Sequence, residues 1–335
     1  MRRYVYAAFV PLFLANTPAA EQAALDRGRA LTAQFAAADT ALARRLSPEM
    51  LALLGGAERA PTALKTLRDQ IGPETALIEE RVYADEGRMT YYRVFKAANL
   101  PSVTAQYSWT GDGTVVGMGF QPTATAAASD RLDYQTRASL QLPFARPEAG
   151  EWTVVWGGRD PIANYHAVAP DQRFALDLIV TRNGKAFSGD GTRSENHLCW
   201  GQPLLSPAAG RVVRAVGDQP DNLAAGSIAE GATGPGNHVL VDHGGGEYSL
   251  IAHLRQGSLA VKPGQQVASG ALLGRCGNSG RSSQPHLHYH LQDGAADRSA
   301  KGLPAQFVNF ERNGQPVPRG EPVRGDRINP SAAKR

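Results

Sequence analysis

Three of the chain's eight histidines fall within the six residues Pro285-His286-Leu287-His288-Tyr289-His290. In a short strand, successive side chains point to opposite faces, so His286, His288 and His290 line up on one side. Imidazole is both a common metal ligand and an acid or base near neutral pH. Imidazoles fixed on one rigid strand therefore point to a metal centre with a catalytic base beside it. The remaining histidines, at 166, 197, 238, 243 and 253, also lie in the second half of the chain, and none precedes residue 166. Polar decoration of a solvated strand face does not explain that clustering.

The elements that must position these residues are short strands broken by glycine turns. The pattern predicts strands over 152–156, 174–180, 211–216, 238–242, 248–254, 271–276 and 287–292, with a long loop over 217–236. The first half reads differently. Leu31, Phe35, Ala38, Leu42 and Leu46 recur at helical spacing and predict one apolar stripe within 21–55. Ser47-Pro48 marks a fresh helix start, Gly55-Gly56 a stop, and a further helix is expected over 62–70 before Gly72. Strands follow over 76–84, 89–96, 103–109 and 114–120, the first two separated by a turn at Glu86-Gly87. Helices followed by an antiparallel sheet make an α+β domain. It holds no histidine or cysteine, so a binding, docking or spacer role is expected of it.

A length of 335 residues suits two domains, and 42% hydrophobic residues with 36 glycines describe a turn-rich globular chain. The net charge of +4 comes from scattered Lys and Arg rather than runs, which argues against nucleic-acid binding. Arg2 and Arg3, the apolar run over 4–14 and the small residues up to Ala20 have the layout of a secretory signal peptide. The expected protein is exported, periplasmic or secreted, with no membrane span after signal removal; an uncleaved anchor is the alternative. In an oxidising compartment Cys199 and Cys276 are a candidate disulfide, worth about 4 kcal/mol for so long a loop. Two buried free thiols are the other reading.

Several segments together carry a family resemblance. They are Gly236-Asn237-His238-Val239-Leu240-Val241-Asp242-His243-Gly244, Tyr248 to Leu254 with His253, Val261-Lys262-Pro263-Gly264, Gly274-Arg275-Cys276-Gly277-Asn278-Ser279-Gly280 and Pro285-His286-Leu287-His288. In order and spacing this resembles the lysostaphin/LytM-type zinc metallopeptidases, over about 150–310. The resemblance implies a mainly antiparallel β catalytic domain of the duplicated hybrid motif type. It also implies hydrolysis of peptide bonds in bacterial peptidoglycan by one Zn2+. His288 and Asp177 would be zinc ligands, and His253 and His286 the catalytic histidines beside them. Two imidazoles and one carboxylate leave a fourth position for water, as in catalytic zinc sites. The first domain more loosely resembles the NTF2-like accessory domains. The expected organisation is a signal peptide at 1–20, the α+β domain at 21–122, a linker at 123–150, the peptidase domain at 151–312 and a polar tail at 313–335.

One position departs from the family pattern. The ligand expected four residues before Asp177 is Arg173, which stays protonated and cannot bind zinc. Either His166, in Asn164-Tyr165-His166, folds back as the third ligand, or the site is degenerate and the chain is a wall-binding or hydrolase-activating protein. The other histidines have simpler readings: a structural hydrogen bond for His243, a strand position for His238, a polar loop for His197, and a place one step beyond the metal for His290. Asn278 and Ser279 are candidates for the substrate groove or for a tight turn. A lipoyl- or biotinyl-carrier reading of 261–274 fails, because no lysine occupies the hairpin tip.

Overall fold

The computed structural model describes residues 18–85, 88–123, 131–161, 163–229, 231–232, 234–296 and 299–331. The expected signal segment, up to residue 17, and the Glu86-Gly87 turn lie outside the described residues. The chain divides into two compact units, Met1–Ala126 and Ala127–Arg335. No described helix is long and apolar enough to cross a membrane.

Among its described residues the first unit has four helices, α1 (Pro18–Ala36), α2 (Thr40–Ala43), α3 (Pro48–Leu53) and α4 (Ala60–Ile71). A four-stranded antiparallel meander follows: β1 (Glu74–Asp85), β2 (Arg88–Ala97), β3 (Val103–Thr110) and β4 (Val115–Pro122). The stripe from Leu31 to Leu46 is not one helix. Ala38 sits at φ 52° and the Asp39 carboxylate accepts from the Ala41 amide, so the chain breaks and α2 starts anew. Ser47 caps α3 with Pro48 in its first turn. Helix α1 lies so close to the sheet that a Cβ on Gly28 would fall 2.1 Å from Tyr91 Cγ. Tyr91, Phe95, Val103, Ala105, Tyr107 and Trp109 close the core behind it.

The second unit is almost entirely antiparallel β. Its strands are β5 (Glu151–Trp156), β6 (Leu176–Thr181), β7 (Pro203–Leu205), β8 (Gly210–Val216), β9 (Asn237–Asp242), β10 (Tyr248–Leu254), β11 (Gln266–Val267), β12 (Leu272–Arg275) and β13 (Leu287–Gln292). Then come β14 (Gly302–Leu303), β15 (Phe307–Arg312), β16 (Gln315–Gly320) and β17 (Arg327–Pro330). Ten of them order as β11-β8-β9-β10-β13-β6-β5-β17-β15-β16, β14 pairs with β13, and β7 and β12 form a separate pair. Two stretches differ from the sequence reading. Leu140, Leu142 and Phe144, expected in a linker, are buried in this unit's core. The expected polar tail instead supplies β16 and β17, the latter pairing with both β15 and β5. Those strands carry little apolar alternation: β16 exposes Gln315, Pro316, Pro318 and Arg319, and β17 buries one hydrophobic residue, Ile328, beside the polar Asn329.

Period-two alternation sets up the site. In β13, Leu287, Tyr289 and Leu291 enter the core, which sends His288, His290 and Gln292 to the opposite face. In β6, Leu176, Leu178 and Val180 enter the core and Asp177 faces the other way. The two strands pair with His288 opposite Asp177.

Candidate metal centre

Ligand-type atoms of His166, Asp177 and His288 all lie within 4.8 Å of one another, and all three residues are buried. His288 Nδ1 is 2.9 Å from Asp177 Oδ1. His166 reaches the cluster from a different direction. The segment between it and β6 folds into two 3₁₀ turns, Tyr165–Val168 and Pro170–Gln172, which bring His166 Nε2 to 3.4 Å from Asp177 Oδ2.

The tautomer of His166 follows from its neighbour. Asn164 donates its amide hydrogens to the Gly158 and Ala175 carbonyls, which turns its Oδ1 toward His166. His166 Nδ1, 2.9 Å from that oxygen, must therefore be the donor. Its Nε2 is left as a lone pair, buried and without a hydrogen-bond partner among the described residues. Burial pushes the ring down to a pKa of about 3 against the pull of Asp177, so His166 is neutral. Burial works against ionisation of Asp177 too. The surrounding histidine rings overcome it and hold the carboxyl well below the usual range.

Two more histidines flank the cluster. Strict alternation would send His253 to the core face with Ile251. A bulge between Ala252 and Leu254, with His253 at φ 58°, turns it away. Its ring then lies 4.7 Å from that of His286 and 5.8 Å from that of His288, centroid to centroid. Both flanking rings are tied back through Nδ1 to carbonyls, His253 to Ser279 and His286 to Gln284, each at 2.8 Å. Each therefore donates from Nδ1 and presents Nε2. Burial, then the neighbouring His286 and His288, push His253 well down. His286 is also desolvated, but Asp177 beside it raises its pKa overall.

Arg173 stays out of the cluster. Its guanidinium donates to the Arg159 carbonyl and stacks over the Phe174 ring. Asn278 and Ser279 are buried rather than exposed in a groove. Asn278 donates to Ser194 and Asn222, and Ser279 anchors His253 through its carbonyl. Cys199 and Cys276 form a disulfide close in sequence to that turn. His243 bonds the Ala209 carbonyl and Ser249, His238 the Gly236 carbonyl, and His197 the Gly191 carbonyl.

Two features escaped the sequence reading. Tyr165 donates from its hydroxyl to Asp177 Oδ2 at 3.1 Å, and only its place beside His166 hinted at this. His290 is not a bystander, because its Nδ1 sits 3.0 Å from His288 Nε2. Its position two residues along the strand was the available signal.

Residues 197–300 match the model of peptidase family M23. Among curated proteins, the peptidoglycan DD-endopeptidase ShyA of Vibrio cholerae is 43% identical over 56 residues, 17% of this chain and 13% of that protein. An uncharacterized metalloprotease of Haemophilus influenzae is 32% identical over 106 residues, 31% of this chain and 19% of that protein. The chain thus matches under a fifth of the length of either relative. Among solved structures, the catalytic domain of lysostaphin from Staphylococcus simulans aligns at 18% identity with a TM-score of 0.28, covering 46% of this chain and 88% of that one.

Proposed function

We propose that this chain is an exported zinc metalloendopeptidase that cleaves peptide bonds in bacterial cell-wall peptidoglycan, a reading supported by the match of residues 197–300 to the model of peptidase family M23. The observation that carries the reading is the convergence of His166, Asp177 and His288 with His253 and His286 beside them. The name of the Vibrio cholerae relative supports peptidoglycan as the substrate class.

The donor set fits zinc. Two imidazoles and one carboxylate are a catalytic ligand set, and the bare, buried Nε2 of His166 is an acceptor that lacks a donor. His166 Nε2, His288 Nδ1 and the Asp177 carboxylate would hold the ion. Bound there, zinc supplies Lewis acidity, making water a nucleophile near neutral pH and polarising a peptide carbonyl.

The chain's own residues supply the rest. Nε2 of His253 and Nε2 of His286 are two proton-accepting atoms on one side of the cluster. One would take the proton of the attacking water and pass it to the leaving amine as the C–N bond breaks, and the other, in its protonated form, would donate to the developing oxyanion. Ser279 and Gln284 fix both rings through their carbonyls, so neither tautomer needs to change before reaction. Tyr165 holds one oxygen of Asp177 in place. In this reading the first unit, which has no histidine or cysteine, is an accessory docking or spacer domain.

The test is hydrolysis of purified peptidoglycan and of its crosslinked stem peptides, with and without a chelator. Chelator-sensitive release of peptide fragments that zinc restores supports the reading. A protein that cuts nothing by itself but stimulates another wall hydrolase overturns it in favour of an activator.

A further inference from the structure

The face of β13 that carries His288 continues into a row of buried polar side chains. His288 Nε2 lies 3.0 Å from His290 Nδ1, and His290 Nε2 lies 2.7 Å from Gln292 Oε1. Gln292 Nε2 in turn donates to the Gly294 carbonyl at 2.6 Å. His290 and Gln292 are 3% and 5% exposed, so water does not substitute for these bonds.

The row has only one consistent direction, and the Gly294 carbonyl sets it. A carbonyl only accepts, so Gln292 must turn its NH2 toward Gly294 and its oxygen toward His290. That oxygen also only accepts, so His290 must carry its proton on Nε2. The two ring nitrogens of His290 meet His288 and Gln292, neither of them a carboxylate that would favour a second proton. Its Nδ1 is therefore an acceptor, and His288 must donate from Nε2. The consequence falls on the other side of the His288 ring. When Nδ1 serves as the metal-ligating atom, its lone pair lies on the Asp177 side, where Oδ1 is 2.9 Å away, and the ring's proton must sit on Nε2, where His290 accepts it. Without the row, nothing accepts the Nε2 proton, and a proton on Nδ1, held by Asp177, would close the ligand position.

We propose that His290 and Gln292 are positioning residues, a polarised relay anchored on the Gly294 carbonyl that holds the His288 Nδ1 lone pair toward the His166–Asp177 cluster. The role toward metal rests on the zinc reading above; the direction of the relay does not. His290 thus acts through His288, by the same device that Asn164 provides for His166. The two imidazoles of the cluster have their tautomers fixed by amide side chains, one directly and one through a second ring.

The experiment compares zinc affinity, measured by competition with a chromophoric chelator, for wild type, His290→Leu, His290→Gln and Gln292→Leu. Thermal midpoints of the metal-free proteins report whether each variant folds. Glutamine at 290 can accept from His288 and donate to Gln292, so it preserves the direction while leucine abolishes it. His290→Leu and Gln292→Leu should weaken zinc binding by about 10–100-fold, the usual effect of losing an outer hydrogen bond to a ligating histidine. His290→Gln should restore affinity to within about threefold of wild type, since it keeps one acceptor and one donor. Leucine variants that bind zinc as tightly as wild type, or a glutamine variant as weak as His290→Leu, overturn the proposal. A second arm is 15N NMR of histidine-labelled, metal-free wild type, where His290 should carry its proton on Nε2. A proton on Nδ1 overturns the relay. Should wild type take up no zinc, the metallopeptidase reading fails, and the NMR arm still decides the relay.

Discussion

The two units solve the same packing problem with different interiors. Each packs an antiparallel sheet around a single main apolar cluster. In the first, the sheet face under α1 is closed by Tyr91, Phe95, Val103, Ala105, Tyr107 and Trp109, and no histidine occurs anywhere in that unit. In the second, β6 and β13 each give one face to the core and bury a polar row on the other: Asp177 on β6, and His288, His290 and Gln292 on β13. Burying such groups is unfavourable unless every one is paired. Asn164, Ser279 and Gln284 each pair a ring nitrogen of His166, His253 or His286, and the relay from Gln292 pairs His288 and His290. The first interior is mainly apolar, with buried hydroxyls such as those of Thr90 and Ser108 paired to each other. The second buries an ionisable cluster beyond what packing needs, and the proposed chemistry would sit there.

Substitutions should separate the two interiors. The largest effect is expected from Asp177→Asn, which keeps the size of the side chain but removes its charge and one acceptor. Peptide hydrolysis should fall by roughly a thousandfold or more, the scale of losing several kcal/mol of Lewis-acid stabilisation. Thermal unfolding of the first unit should not change. Loss of the Cys199–Cys276 disulfide comes next. Opening a 77-residue separation should destabilise the second unit by about 4 kcal/mol. Denaturant melts of Cys199→Ser/Cys276→Ser should show the second unit unfolding early and the first unmoved.

A smaller effect, confined to the first unit, is expected from Gly28→Ala. The added methyl meets the Tyr91 ring, and such overpacking costs about 1–3 kcal/mol. Zinc affinity should stay at the wild-type value. If it fell, the two interiors would not be independent.

Acid should distinguish them more gently. His166 and His290 have pKa values lowered by burial to about 3, while in the unfolded chain each ring protonates near the ordinary histidine value of 6.5. The unfolded state therefore binds more protons once the pH drops below 6.5, and stability declines toward pH 3. Between pH 6.5 and 5.5 the metal-free second unit should lose about 1 kcal/mol for each such ring. The first unit, lacking histidine, should hold steady until its carboxylates begin to protonate. Melting curves across that range would reveal a common decline if the contrast were wrong.

The parts of this site that sequence exposes are those governed by short-range periodicity. The alternation through Leu287, His288, Tyr289 and His290 follows from a strand's period of two, so the shared face of His288 and His290 is readable from spacing. What depends on backbone irregularity is not. The bulge that rotates His253 leaves no pattern in Tyr248 to Leu254, and the break at Ala38 sits inside an unbroken apolar stripe. The place of His166 depends on two 3₁₀ turns between Tyr165 and Gln172, so spacing from Asp177 alone could not locate it. Gln292 looked like the end of a strand; its role depends on a carbonyl two residues further on. Leu140 and Phe144 read as linker because no regular strand surrounds them, yet both are buried.

The account turns on His166 doing what Arg173 cannot. The most direct test is the zinc content and zinc affinity of purified wild type beside His166→Ala. One zinc per chain in wild type, with affinity lower by roughly a hundredfold in the variant, is the expected result for loss of one of three protein ligands. A wild type that holds no zinc, or a His166→Ala variant that binds it as tightly, would contradict the account.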